Sequence, residues 1–184
     1  MQRKLAVLGI CLATLGACTQ PMQIAQNPVH VTPNAPKQAF GLDVYAAARQ
    51  QGQPAPAYKG ERLVTVRSEF DGPSSGTTEF SGARCKITSA TFSAEVTTPV
   101  QIVVPDYGAQ SPVITANCRA NDMQATQSIS VFNASQRRRD QAREPFLFGG
   151  YGRHGGGISV GVHFDLSDRS NDVYEYPTLR VTFR

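Results

Sequence analysis

The sequence predicts a mainly β protein: an antiparallel β-sandwich-like domain over residues 61–184, preceded by a signal peptide and a Pro-rich tether. Three observations carry that expectation. The chain holds 16 Gly and 12 Pro with no Trp, and only 17% of its residues are charged. With plentiful Ser, Thr and Val, that composition suits short strands joined by many turns. Apolar residues recur at every second position in several stretches, as half-buried strands require. Clusters of Gly and Pro then separate those stretches.

The amino terminus carries Arg3 and Lys4, followed by an apolar run over residues 5–15 and the small residues Gly16 and Ala17. The run is too short for a bilayer, which needs about 20 apolar residues. Its order of charge, apolar stretch and small residues reads as a secretory signal peptide over 1–17. Leu15-Gly16-Ala17-Cys18 resembles the lipobox of bacterial lipoproteins. The resemblance implies that the Cys18 thiol takes a diacylglyceryl group, that 1–17 is removed, and that the new amine is acylated. Membrane lipid would then be a partner through Cys18. Several acyl chains hold far better than one, at about 0.8 kcal/mol per buried CH2. Thr19, where retention at the inner membrane favours Asp, implies the outer membrane, with the chain facing the periplasm.

The formal charge is +4, from 18 basic and 14 acidic residues. Removing Arg3 and Lys4 leaves +2 on the mature chain. That balance gives no ground for nucleic-acid binding.

Residues 18–60 read as the lipidated Cys and a Pro/Gln-rich tether. Pro21, Pro28, Pro33, Pro36, Pro54 and Pro56 punctuate it, and so polar a stretch buries little apolar surface. About 40 flexible residues would span roughly 35 Å. Within it, Asp43 is placed to cap a short helix over 44–50, ending at Gly52. Too short to stand alone, that helix must dock or fray.

In the domain, Val64, Val66 and Phe70 alternate with polar neighbours, giving a strand over 62–70, and the 72–76 segment gives a turn. Cys85 and Ile87 share one phase, whereas Phe92, Ala94 and Val96 share another. A turn or bulge near Thr88 and Ser89 must separate them. Pro99 and Pro105 bracket a strand over 100–104, and Pro112 opens another in which Ile114, Ala116 and Cys118 lie on one face.

Cysteine arithmetic sharpens this. Cys11 leaves with the signal and Cys18 is taken by lipid, so Cys85 and Cys118 remain in an exported domain, where a disulfide is favoured. Both fall in phase with inward apolar residues. The rival, a redox or metal pair, lacks a CxxC spacing and a nearby His. Gly82-Ala83-Arg84-Cys85, Thr98-Pro99 before the apolar strand, and Cys118 after it resemble the PEGA-like β modules of bacterial envelope proteins. Ser89-Ala90-Thr91 stands where that pattern has a turn Gly. The resemblance implies a β-sandwich-like surface module and the Cys85 and Cys118 pair, with no catalytic residues.

Several other motifs have two readings each. Arg137-Arg138-Arg139 is a solvated turn or short helix beside Asp140 and Glu144, or a clamp on lipid phosphates or acidic glycans. Gly150, Gly152 and Gly155 satisfy GxGxxG, but a dinucleotide site needs a helix there. Ile158, Val160, Val162, Phe164 and Leu166 alternate instead, so the glycines read as a hairpin connection. Asp168 to Asp172 is a polar turn or a weak calcium loop. In the final strand, Leu179, Val181 and Phe183 share a face with Val173, and Pro177 marks an edge or a broken start. Tyr174 and Tyr176, on the other face, either cover neighbouring strands or form a binding surface.

No catalytic, cofactor or metal residues are assigned. His30, His154 and His163 lack metal-ligand spacing, and no GxSxG elbow occurs. The expected role is that of a membrane-anchored envelope lipoprotein, structural or binding an envelope protein. The alternatives are a small or accessory enzyme acting on cell-wall glycan or lipid, and a pilotin-like helper of an outer-membrane complex.

Overall fold

A computed structural model describes residues 21–35, 41–73, 76–142 and 171–184. In chain order the elements are β1 (Val29–His30), β2 (Thr32–Pro33), α1 (Ala46–Gln50), β3 (Gly60–Gly72), β4 (Gly76–Phe80), β5 (Arg84–Thr88), β6 (Phe92–Thr97) and β7 (Val100–Asp106). A single 3-10 turn, Gly108–Gln110, leads to β8 (Ile114–Ala120), β9 (Met123–Ile129), β10 (Phe132–Asn133), α2 (Ala134–Ala142), β11 (Tyr174–Glu175) and β12 (Leu179–Phe183). The signal peptide, Cys18, the glycine loop and the expected strand 158–166 lie outside the described residues.

Two five-stranded sheets face each other, as the sequence predicts. The first runs β1-β7-β3-β12, with β4 also on β3; the second runs β2-β6-β5-β8-β9. Most pairings are antiparallel, but β1 on β7 and β12 on β3 are parallel. The 13-residue β3 organises the first sheet. Its first half pairs with β7, ending at Val66 opposite Val100, and its second half pairs with β4, beginning at Ser68 opposite Phe80. β12 occupies the other edge of β3 over Val66–Phe70. At the changeover Ser68 is fully buried. Its hydroxyl bonds the Phe80 carbonyl at 2.6 Å and the Thr98 hydroxyl at 2.6 Å, so the polar pair is satisfied where the ladder breaks.

Period-two alternation places Val64, Val66, Ile102, Val104, Leu179, Val181 and Phe183 of the first sheet against Ile87, Phe92, Ile114 and Ala116 of the second, in one core. The Phe80 and Phe183 rings meet edge to face at 5.3 Å. The phase change near Thr88 resolves as a turn, closed by Ser89 N–H donating to the Phe92 carbonyl at 2.9 Å. Cys85 and Cys118 are bonded, with Cα atoms 4.0 Å apart. They are direct partners in the β5–β8 register, so the bond lies within one sheet and does not tie the two together.

Part of the expected tether belongs to the domain, which corrects that reading for the described residues. Met22 N–H donates to Glu79 at 3.0 Å, and Arg67 donates to the Met22 carbonyl at 2.9 Å. The Gln26 amide donates to the Thr97 and Pro99 carbonyls. Val29-His30-Val31-Thr32-Pro33 then crosses from the first sheet to the second, burying Val31 to 3% exposure. The reason is local alternation: Val29 and Val31 bring apolar area to two open strand edges. Helix α1 docks rather than frays. Asp43 accepts the Tyr45 N–H at 3.3 Å and pairs with Arg49, while Leu42 and Ala46 are buried. The helix starts at Ala46, later than expected, because Asp43 forms an Asx turn ahead of it.

Breaking the disulfide should cost stability. In the chain-entropy model a loop of this length contributes about 3–4 kcal/mol. Cys85→Ser with Cys118→Ser should therefore lower the melting temperature in oxidising buffer by roughly 10 °C, followed by circular dichroism; an unchanged midpoint would rule out that contribution.

Candidate functional site

On the second sheet, the residues between the core positions point outward and fall into rows. One row runs Thr97, Arg84, Arg119 and Gln124; the next runs Glu95, Lys86, Asn117 and Thr126; a third runs Thr32, Ser93, Thr88, Thr115 and Ser128. The hydroxyls and amides of this face bond to one another. Thr126 donates to the Asn117 side-chain oxygen at 2.7 Å, and the Thr115 and Ser128 hydroxyls lie 2.8 Å apart. Arg84 and Arg119 stand directly opposite each other, both exposed. Like charges in that relation repel. With the Gln124 amide turned so that its oxygen faces the guanidinium, Arg119 Nε donates to it at 3.2 Å. Elsewhere arginines are matched to carboxylates: Arg62 to Asp106, Arg67 to Glu79, Arg139 to Asp172 and Arg180 to Glu69. A depression of about 860 Å³ borders Arg84, Lys86, Arg119, Gln124, Glu95 and Gln26 and reaches both bonded cysteines. The arrangement offers an acidic partner two guanidinium groups whose mutual repulsion it would relieve.

The opposite end of the sandwich is built for rigidity. Tyr107 is 2% exposed; its hydroxyl donates to the Leu42 carbonyl at 3.3 Å and accepts the Val44 N–H at 3.2 Å. Tyr45 and Tyr58 pack on its ring at 5.1 and 5.9 Å. Asp106 accepts from Arg62 at 2.6 and 3.1 Å and from Gly108 N–H at 2.8 Å. Burial pushes the Tyr107 phenol up to about 12, and the Asp43 charge adds to it. Burial, with Glu61, Asp43 and Asp106 nearby, also raises Tyr58. Burial raises Tyr176 as well.

The residues singled out from sequence fall as follows. Arg137-Arg138-Arg139 lies on α2, whose first turn is capped by Asn133 accepting the Gln136 N–H at 2.8 Å. Arg139 grips Asp172 through two bonds of 2.8 and 3.1 Å, and Arg137 lies over the Phe132 ring at 5.5 Å. The triplet therefore does not present a joint clamp. Asp172 is buried by that pairing and by the Asn133 amide at 2.6 Å, which removes it from the calcium-loop reading; Asp168 lies outside the described residues. Tyr174 and Tyr176 do not form an exposed pair. Tyr174 accepts from the Asn133 amide at 3.4 Å, and Tyr176 donates to the Pro112 carbonyl and packs on the core. Pro177 divides β11 from β12, the broken start expected of it. His30 is exposed on β1, whereas His154 and His163 lie outside the described residues. Among the described residues, no group of three His, Cys, Asp or Glu could hold a metal ion, and no helix is long and apolar enough to cross a membrane.

The Arg84–Arg119 juxtaposition escaped sequence reasoning because it depends on register. Once Cys85 is paired with Cys118, Arg84 must oppose Arg119, so the cysteines held the signal. In comparisons with known proteins, no family model, no curated protein and no solved structure matches the chain.

Arg84→Glu turns the like pair into an opposite one and should raise stability by about 0.5 kcal/mol in urea titration; a loss would show that Arg84 stabilises the fold. Tyr107 sets a pH limit. The unfolded phenol gives up its proton near 10 while the folded one holds it to about 12. The folded state thus binds more protons in that window, and stability falls as pH rises through it. The melting temperature should drop between pH 10 and 12, and less so in Tyr107→Phe, which itself costs about 1 kcal/mol at neutral pH.

Proposed function

We propose that this chain is a lipid-anchored bacterial envelope protein, held through acylated Cys18 at the outer membrane and facing the periplasm. Its β-sandwich serves a structural or partner-binding role there. The observation that carries the reading is Leu15-Gly16-Ala17-Cys18, placed directly after a basic start and a short apolar run. The Cys85–Cys118 bond supports export, since such bonds persist in oxidising compartments. A two-sheet β fold with that cysteine pair is also what the likeness to PEGA-like modules implies. The contact surface is the outer face of the second sheet, where Arg84, Lys86 and Arg119 meet rows of hydroxyls and amides. Its partner is an acidic envelope component, recognised by contact.

The anchor is tested by Cys18→Ala. The variant should leave the membrane fraction on cell fractionation and lose incorporation of labelled palmitate. A variant that still sediments with membranes and resists extraction overturns the reading.

A further inference from the structure

The first sheet has an outer face of its own, and the amino-terminal segment leaves the domain across it. Met22 is held there at both backbone groups: its N–H donates to Glu79, and its carbonyl accepts from Arg67. Arg67 and Glu79 are themselves ion-paired, with side chains only 13% and 14% exposed. Alternation along β3 and its register with β4 and β12 put both on the outward face, together with Leu63, Glu69, Thr77 and Arg180.

Only four peptide steps separate Cys18 from Met22. Even fully extended they reach about 14 Å. An acylated Cys18 therefore cannot hold the domain on a long spacer. The geometry points to the outer face of the first sheet lying against the bilayer surface, with the face bearing Arg84 and Arg119 turned away from it. This inference rests on the lipid anchor proposed above and commits to one occupant of the face, a membrane surface.

The chemistry of the face suits that occupant. Leu63 is 53% exposed and Met22 38%, apolar side chains that can enter the headgroup region. Arg180 and Arg184 have half or more of their side chains exposed but are paired with Glu69 and Asp71, so the face carries no excess positive charge and meets the lipid through its apolar side chains. The carboxylates Glu69, Glu79 and Asp71 are each bound by an arginine, so their charge is offset; Glu61 stands at the start of β3, away from the Met22 contact. With the two sheets about 10 Å apart, the outer face of the second sheet is carried well clear of the lipid.

The test uses the full lipidated chain, reconstituted in vesicles of phosphatidylcholine and phosphatidylglycerol. A fluorophore is attached at Thr77→Cys on the first sheet, or at Thr126→Cys on the second, both exposed positions. Flotation and the mass of the bound lipid are recorded first, so that loss of the anchor is seen separately from loss of the orientation. A headgroup quencher should then quench the Thr77 label at least about threefold more than the Thr126 label. Inserting ten Gly and Ser residues after Thr19 should abolish the difference. Chains that carry lipid and float, but quench equally at both labels or more at Thr126, overturn the orientation. So does an insertion that leaves the contrast unchanged, since the short leash would then not be its cause. Chains that carry no lipid overturn the anchor and, with it, this inference.

Discussion

The second sheet has one workable register, and a covalent bond holds it. Cys85 faces Cys118 across β5 and β8. A slip of one residue between these strands would turn one of them over, sending Ile87 to solvent and Lys86 into the core, or Ala116 to solvent and Asn117 into the core. Hydrophobic burial already disfavours that slip, and the disulfide forbids it. The same register forces Arg84 against Arg119 on the outside. The core and the outward arginine pair are two consequences of one pairing, and the cost of the arginine repulsion is offset by the bond beside it.

The fold class was legible because alternation is a strong signal where one face is buried. Residues 84–118 show it best, and there the strands and their phase change fall where expected. β9 was not legible. In Met123-Gln124-Ala125-Thr126-Gln127-Ser128-Ile129 the inward positions include an Ala and a Gln, since an edge strand at the rim of the core needs little apolar area. Its available signal was the two-residue connection Asn121-Asp122, with Asn121 at φ 51°, a conformation that Asn tolerates and hairpins require. β4 was missed for a similar reason, because Gly76-Thr77-Thr78-Glu79-Phe80 leaves its first three residues exposed and its last two only half-buried. The joint clamp suggested by three consecutive arginines was lost to helix geometry, which points successive side chains in different directions.

The amino-terminal segment shows where composition misleads. Its prolines and amides argue correctly that it forms no core of its own. They say nothing about joining a core already built. Two residues on β7 and two on β6 suffice to hold Val31 between the sheets. Ahead of them, Met22 and Gln26 are held by hydrogen bonds to partners far away in sequence. Backbone groups make half of those contacts, and a backbone group has no residue-type signature.

On the attachment proposed at Cys18, a chain pinned at Met22 would have few orientations open to it, whereas the same domain on a 40-residue spacer would sample all of them. Restricting orientation lowers the entropy lost when the domain meets a partner lying in or near the same surface. It would also set which face does the meeting. The first sheet's outer face holds Met22 and carboxylates that are each paired with an arginine. The second sheet keeps a field of hydroxyls and amides around a guanidinium pair that has no carboxylate partner among the described residues. Two faces so different in charge follow from strand register, and on the proposed attachment that register would set the charge offered away from the lipid.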